Sequence, residues 1–310
     1  MAIVTYSRRM NLKPIKNTLK RMLESPFLLL NKVNGNKESF WWKSSYDALS
    51  DNEKLRMSKK ALFSLLTRKG TEKGFKIISY LNALNCDSLL ASNFVDNFIE
   101  NLPLYESQLG QDCIVDTIFN KKQAGVFVEI GVGDGKRISN TYFLEKHRNW
   151  TGVLCEPSKK FHDSILQKRN AVLVTDAIYN KSNLEIEFSE VVGNEELSTL
   201  SDHKLSDSHN RTDVKNYAVK TISFNDLYEK QIKNKKIDYL SVDTEGSELT
   251  ILSAIDFNRI DISVISVEHN YNKDKLDEIS SLLSPFGYVE ILPDVFEFDA
   301  IFVKREIYES

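Results

Sequence analysis

Apolar positions along this chain change period once. From Ser50 to Leu102 they recur at helical spacing. A Ser50-x-x-Glu53 capping pattern leads into Leu55, Leu62, Leu65 and Leu66. Ile77, Ile78 and Leu81 follow, and then Leu89, Leu90, Phe94, Val95 and Phe98. After Gly110, short runs rich in β-branched residues alternate with helical stretches. The pattern predicts helix 111–121, strand 126–131, helix 137–147, strand 151–156, helix 158–168 and strand 171–175. Leu184-Glu185-Ile186-Glu187-Phe188 alternates apolar with acidic, as an exposed antiparallel strand does. Residues 193–214 are polar and aperiodic, and read as a mobile loop near the site. A buried strand at 237–242, a helix from Ser247 to about Asp256 and a strand at 262–268 come next. Two domains result: a small helical N-terminal region, 1–102, and an α/β domain, 103–310.

Two details sharpen the α/β reading. Tyr288–Leu292 and Phe298–Val303 are strands separated only by a short loop with Pro293 and Asp294. A parallel crossover needs a dozen or more residues, so these strands form an antiparallel hairpin. Near the start, strand 126–131 runs into Gly131, Gly133 and Gly135, a helical stretch follows, and the next strand ends in Glu156. This is the strand, glycine loop, helix, strand, acid order of a nucleoside-binding unit. Glycines let backbone approach a ligand closely. An acid at the second strand end accepts hydrogen bonds from ribose hydroxyls.

Composition narrows the class without naming it. The 310 residues are 41% apolar and 27% charged, with net charge −3 and a pI near 6.0, which gives no global argument for nucleic acid. Cys86, Cys113 and Cys155 are scattered, so neither a disulfide framework nor a zinc site is expected, and a cytoplasmic setting fits. Phe27–Leu30 is too short a run for a membrane span. The first 40 residues are basic: Arg8, Arg9, Lys13, Lys16, Lys20, Arg21, Lys32 and Lys37 meet only Glu24 and Glu38. That stretch reads either as a helix touching anionic lipid or glycan at a membrane periphery, or as an ordinary solvated helix. Nothing in the sequence fixes an oligomeric state.

Four stretches resemble the FkbM-type methyltransferases. They are Ser107-Gln108-x-Gly110-Gln111-Asp112; Phe127-Val128-Glu129-Ile130-Gly131 with its glycines; Ser139-Asn140-Thr141-Tyr142 through Trp150-Thr151-Gly152 to Glu156-Pro157; and Asp243-x-Glu245-Gly246-x-Glu248. The likeness spans about residues 107–305 and leaves 1–100 outside it. The loop Val132-Gly133-Asp134-Gly135 departs from the family, where an Ala-Asn pair is common. The resemblance implies a Rossmann-like class I methyltransferase fold, mostly parallel with an antiparallel C-terminal strand. It implies S-adenosylmethionine as cofactor and O-methyl transfer to a hydroxyl of a sugar, glycan or natural product. Glu129, Gly131, Gly133, Asp134 and Gly135 would face the methionine end, Glu156 and Pro157 the ribose, and Asp176 and Ala177 the adenine. Gln108, Asp112, Asn140 and Asp243 complete the expected cofactor set.

Each carboxylate keeps a plainer alternative: Glu129 as a helix cap, Glu156 or Asp176 as turn residues, Asp112 with Gln108 and Gln111 as caps. A hydroxyl acceptor wants a general base, worth about 10²–10⁴ in rate. His269, after a strand end and beside Glu268, is the first candidate. Asp243 and Glu245 form a second carboxylate group that orients the hydroxyl, accepts its proton or, with Glu268 or His269, holds a divalent cation. No spacing specific to a metal is present, and none is expected. His203 and His209 read as surface residues of the polar loop. Two other functions compete: a nicotinamide-dependent oxidoreductase or epimerase using the same glycines and Glu156, and an interaction protein that keeps the fold without chemistry. The glycine spacing is not G-x-G-x-x-G, and the terminal hairpin is foreign to nicotinamide domains.

Overall fold

The computed structural model describes residues 76, 79–80, 82–101, 104–193, 198–200, 213–233 and 235–309. The basic N-terminal stretch, the helices expected before residue 76, and most of the 193–214 loop with His203 and His209 lie outside the described residues. By contacts the chain divides into Met1–Leu81 and Asn82–Ser310, and the sheets and the cleft belong to the second unit.

In chain order the elements of this unit are α1 (Leu89–Asn101), α2 (Gln111–Ile118), β1 (Val126–Ile130), α3 (Tyr142–Arg148), β2 (Thr151–Cys155), α4 (His162–Lys168), β3 (Val172–Val174), β4 (Ala177–Tyr179), β5 (Glu185–Val191), β6 (Thr199–Leu200) and β7 (Val214–Ser223). Then come α5 (Phe224–Leu227), β8 (Ile237–Val242), α6 (Glu248–Ser253), β9 (Ile262–Glu268), α7 (Lys273–Leu283), β10 (Tyr288–Ile291), β11 (Asp299–Lys304) and α8 (Arg305–Tyr308). The helix at 89–101, read from the sequence as part of the N-terminal region, belongs to the second unit. Its Phe94 packs edge-on to Phe296, with ring centroids 5.9 Å apart.

A seven-stranded sheet runs β10-β11-β9-β8-β1-β2-β3. The five strands from β9 to β3 pair in parallel. β11 is antiparallel to β9 and to β10, as the short terminal loop requires. β8 and β9 are buried at every position and lie in the interior of the sheet. This is the Rossmann-like class I arrangement that the resemblance implies. Among the described residues no helix is long and apolar enough to cross a membrane.

A second sheet, β4-β7-β5-β6, is not foreseen by the sequence pattern as such. The exposed strand read at Leu184–Phe188 is β5, antiparallel to β7. β7 itself went unread, although Tyr217, Val219 and Thr221 turn inward at a period of two. The helix expected from residue 137 starts only at Tyr142. Gly135 and Ile138 hold left-handed φ of 86° and 57°, and residues 139–141 are drawn onto Glu129 instead of into helix.

Candidate active site

The carboxyl ends of β1, β2 and β8 meet at one point, because Gly131 lets them. Its N–H donates to the Cys155 carbonyl, and the Asp243 N–H donates to the Ile130 carbonyl. A Cβ on Gly131, at φ 81°, would stand 1.6 Å from the Asp243 carbonyl oxygen. Above this junction opens a cleft of about 820 Å³, solvent at its mouth included. Glu129, Gly131, Gly133, Asn140, Glu156, Pro157, Ala177, Asp243 and Glu245 line it, all singled out from the sequence. The second sheet supplies a wall the sequence did not reveal: Ile178, Phe188 and Leu200, with Phe161 beside them. Thr199 ties that wall across the cleft by donating from its hydroxyl to the Glu245 carbonyl, 2.9 Å away.

Several expected cofactor residues make hydrogen bonds within the chain. The Glu129 carboxylate accepts from the Ser139 and Thr141 hydroxyls and the Asn140 amide, with Arg169 Nη1 at 3.5 Å. It therefore holds the 139–141 turn, while still lining the cleft. Asp112 is fully buried and accepts from the Glu106, Ser107 and Cys113 amides, which makes it a clamp on its own turn. Asp134 accepts from the Lys136 and Arg137 amides and pairs with Lys168 at 2.7 Å. Burial works against its ionisation, but Lys168 and those amides outweigh burial and hold the pKa below the ordinary value. Gln108, Gly135 and Asp176, like Asp112, Asp134, Glu268 and His269, are not among the residues lining the cleft.

Glu156 lines the cleft just past the end of β2. Its Oε2 accepts from the Val132 and Gly133 amides at 3.0 and 2.9 Å, and its Oε1 from the Ser158 amide at 2.8 Å. One lone pair on Oε1 remains for a further donor. Burial pushes its pKa up to about 7, against the lowering by those three amides. A hydroxyl donor favours the ionised form, so such a ligand binds more tightly as pH rises through that value.

Asn140 contributes what Glu129 does not. Its Nδ2 donates to the Ser241 hydroxyl, and its buried Oδ1 has no hydrogen-bond partner among the described residues. An orphaned acceptor at a cleft wall is costly unless a ligand donor meets it.

On the other side lie the two acidic loops after β8 and β9. Asp243 has no hydrogen bond or ion pair to its carboxylate among the described residues. Burial pushes its pKa well above the carboxylate range, and the charges of Asp299 and Glu248 add to that while Lys275 opposes it. Glu268 is raised likewise, by burial and then by Asp243 and Glu245. It stands opposite Asp299 in the β9–β11 register. Glu245 and Gly246, and again Asn270 and Tyr271, take left-handed φ, so both strands end in strained reversals. Glu248 is fully buried and accepts from Thr244 N, Thr244 Oγ1 and Gly246 N on Oε1, while Lys275 Nζ lies 2.6 Å from Oε2. Asp243, Glu248 and Glu268 each bring one oxygen within 4.8 Å of the others. That spacing would suit a divalent cation, but Glu248 is already paired. His269 is buried, its backbone N–H bonds the Phe298 carbonyl, and burial followed by Lys275 lowers its pKa.

A family model described as the methyltransferase FkbM domain matches residues 129–290, just over half of the chain. The chain belongs to the FkbM methyltransferase family. Its cofactor is S-adenosylmethionine, and the competing nicotinamide reading falls. Three solved structures are similar to this FkbM chain. Precorrin-6y C5,15-methyltransferase from Geobacter metallireducens is 14% identical, with a TM-score of 0.33 over 60% of this chain and 75% of that one. The Methanococcus jannaschii fibrillarin pre-rRNA processing protein is 11% identical, with a TM-score of 0.37 over 64% and 74%. A methyltransferase from Pyrococcus furiosus is 12% identical, with a TM-score of 0.34 over 69% and 96%. No curated protein sequence matches the chain.

The cleft of this FkbM domain fits the cofactor's parts. The unsatisfied Asn140 Oδ1 suits an ammonium, the last lone pair of Glu156 suits a ribose hydroxyl, and the apolar wall of Phe161, Ile178 and Leu200 suits a planar base.

Proposed function

We propose that the chain is an O-methyltransferase acting on a hydroxyl of a sugar, glycan or natural product, with Asp243 as general base and no divalent metal. The observation that carries this is the Asp243 carboxylate, which lines the cleft beside Gly131 with no internal partner among the described residues. When bound, S-adenosylmethionine supplies a methyl group on a sulfonium. The chain's own contribution is alignment and proton removal. Asn140 and Glu156 hold the two ends of the cofactor, and the glycine junction lets the backbone come close. Alignment of this kind contributes up to ~7–11 kcal/mol. Asp243 takes the acceptor proton. A carboxylate whose pKa is raised by burial is a stronger base than an ordinary one. His269, first choice from the sequence, is outside the cleft lining. Glu245 and Glu268 shape the charge around Asp243.

Transfer of labelled methyl groups from S-adenosylmethionine into a metabolite extract tests the assignment. Asp243→Asn should lower turnover by about 10²–10⁴ while cofactor affinity stays within about tenfold of wild type. His269→Ala should keep most of its turnover. The reverse pattern would return the base to His269, and loss of wild-type activity in chelator would end the metal-free reading.

A further inference from the structure

Lys275 is placed where helix electrostatics disfavours it. It lies in the first turn of α7, whose N-cap Asn272 accepts from the Lys275 amide at 3.0 Å. Helix N-termini favour anions, so a largely buried cation there needs another partner. Its partner is the Glu248 carboxylate at 2.6 Å, the Lys275 side chain being 12% exposed and that of Glu248 fully buried. Glu248 in turn holds Thr244 and Gly246, the residues that come after Asp243.

Among the described residues the surroundings are largely acidic. Asp243, Glu245, Glu268 and Asp299 all face this corner, and the Lys275 charge counters both Asp243 and Asp299. Three carboxyl groups whose oxygens lie within 4.8 Å of one another repel when ionised, which is part of why the pKa values of Asp243 and Glu268 are raised. Such a group persists when a cation stands beside it. Arrangements of this kind commonly recruit a hard divalent ion. Here a covalently tethered ammonium already stands against one of the three.

We infer that the Lys275 ammonium, paired directly with Glu248, is the resident counter-cation of the acidic corner of Asp243, Glu248 and Glu268, in place of a divalent ion. It acts as a positioning residue: through Glu248 it holds the strained Thr244–Gly246 reversal and so the direction of Asp243. The role rests on the proposed methyl transfer only for its consequence in turnover, and its direct test needs neither acceptor nor cofactor.

The test is uptake of Mn²⁺, monitored by the paramagnetic resonance signal of the free ion. Wild type and Lys275→Arg should leave that signal at its protein-free level. Lys275→Ala should take up a single ion per chain, and adding Glu268→Gln should abolish the uptake. Lys275→Met keeps the packing of the aliphatic stem without the charge and should behave like Lys275→Ala. Folding of either variant only in the presence of Mn²⁺ would support the inference equally. Uptake by wild type that Glu268→Gln removes would overturn it, since the ion and not the lysine would then be resident. Lysine variants that take up no ion, or that fail to fold with and without Mn²⁺, would also overturn it and leave an ordinary structural ion pair. Binding of S-adenosylmethionine to the same wild-type sample reports separately on the proposed function.

Discussion

Arg169→Met should cost about 3–5 kcal/mol of folding stability, the scale for stranding a buried charge. The Arg169 side chain is fully buried and holds five partners at once. Nε donates to Glu145, Nη1 to Ser139 and the Gly135 carbonyl, and Nη2 to Thr141, with Glu129 at 3.5 Å from Nη1. Methionine fills the volume but leaves Glu129 and Glu145 without their shared counter-charge. Burial alone would raise the Glu145 pKa, and Arg169 is the first of the groups that reverse this and hold it low. A depressed carboxylate stabilises the fold above its unfolded pKa and loses that stabilisation as pH falls through the folded pKa. The variant should therefore lose most at neutral pH and approach wild type in acid. Urea unfolding at both ends of that range measures it, and a loss below about 1 kcal/mol at neutral pH would show that the network is not what holds the turn. Arg169→Lys should recover only part, because an ammonium cannot reproduce the planar fork.

Gly131→Ala should be nearly as damaging, and for a different reason. The new Cβ would lie 1.6 Å from the Asp243 carbonyl oxygen, a backbone atom at the end of a strand locked by pairing on both sides. Overpacking costs about 1–3 kcal/mol and a left-handed alanine about 1–2 more. The ends of β1 and β8 must part, and that junction floors the cleft, so cofactor binding should be lost with the stability. Gly193→Ala is the control. It has a matching φ of 82° and nothing within 4 Å of the added carbon, so it carries the backbone cost alone. If the two variants melt at similar temperatures, steric closure at the junction is not the cause.

The glycine junction, Glu156, the terminal hairpin and the parallel order were legible because each rests on local rules. A glycine run after an apolar strand and a loop too short to cross a sheet constrain the chain without knowledge of distant residues. Glu129, Asp112 and Asp134 were legible as special positions, but their partners within the chain were not. A carboxylate in an apolar strand needs a partner, and the sequence does not say whether that partner is a ligand or an arginine 40 positions away. The Glu248–Lys275 pair behind Asp243 was hidden for the same reason. Glu248 and Lys275 are 27 residues apart and meet only when β8 and β9 align. β7 was missed although its alternation is present, because charged outward positions dilute the apolar signal.

Calorimetric titration of S-adenosylmethionine, with NAD as the comparison, tests the central claim most directly. The account predicts one saturable site per chain for S-adenosylmethionine and none for NAD. Affinity should rise between about pH 6 and about pH 8, as Glu156 ionises, and Glu156→Ala should weaken binding by roughly 1.5–3 kcal/mol per lost charge-assisted bond. Folded wild-type protein that binds NAD but not S-adenosylmethionine, or whose affinity for S-adenosylmethionine is unchanged by Glu156→Ala, would contradict it.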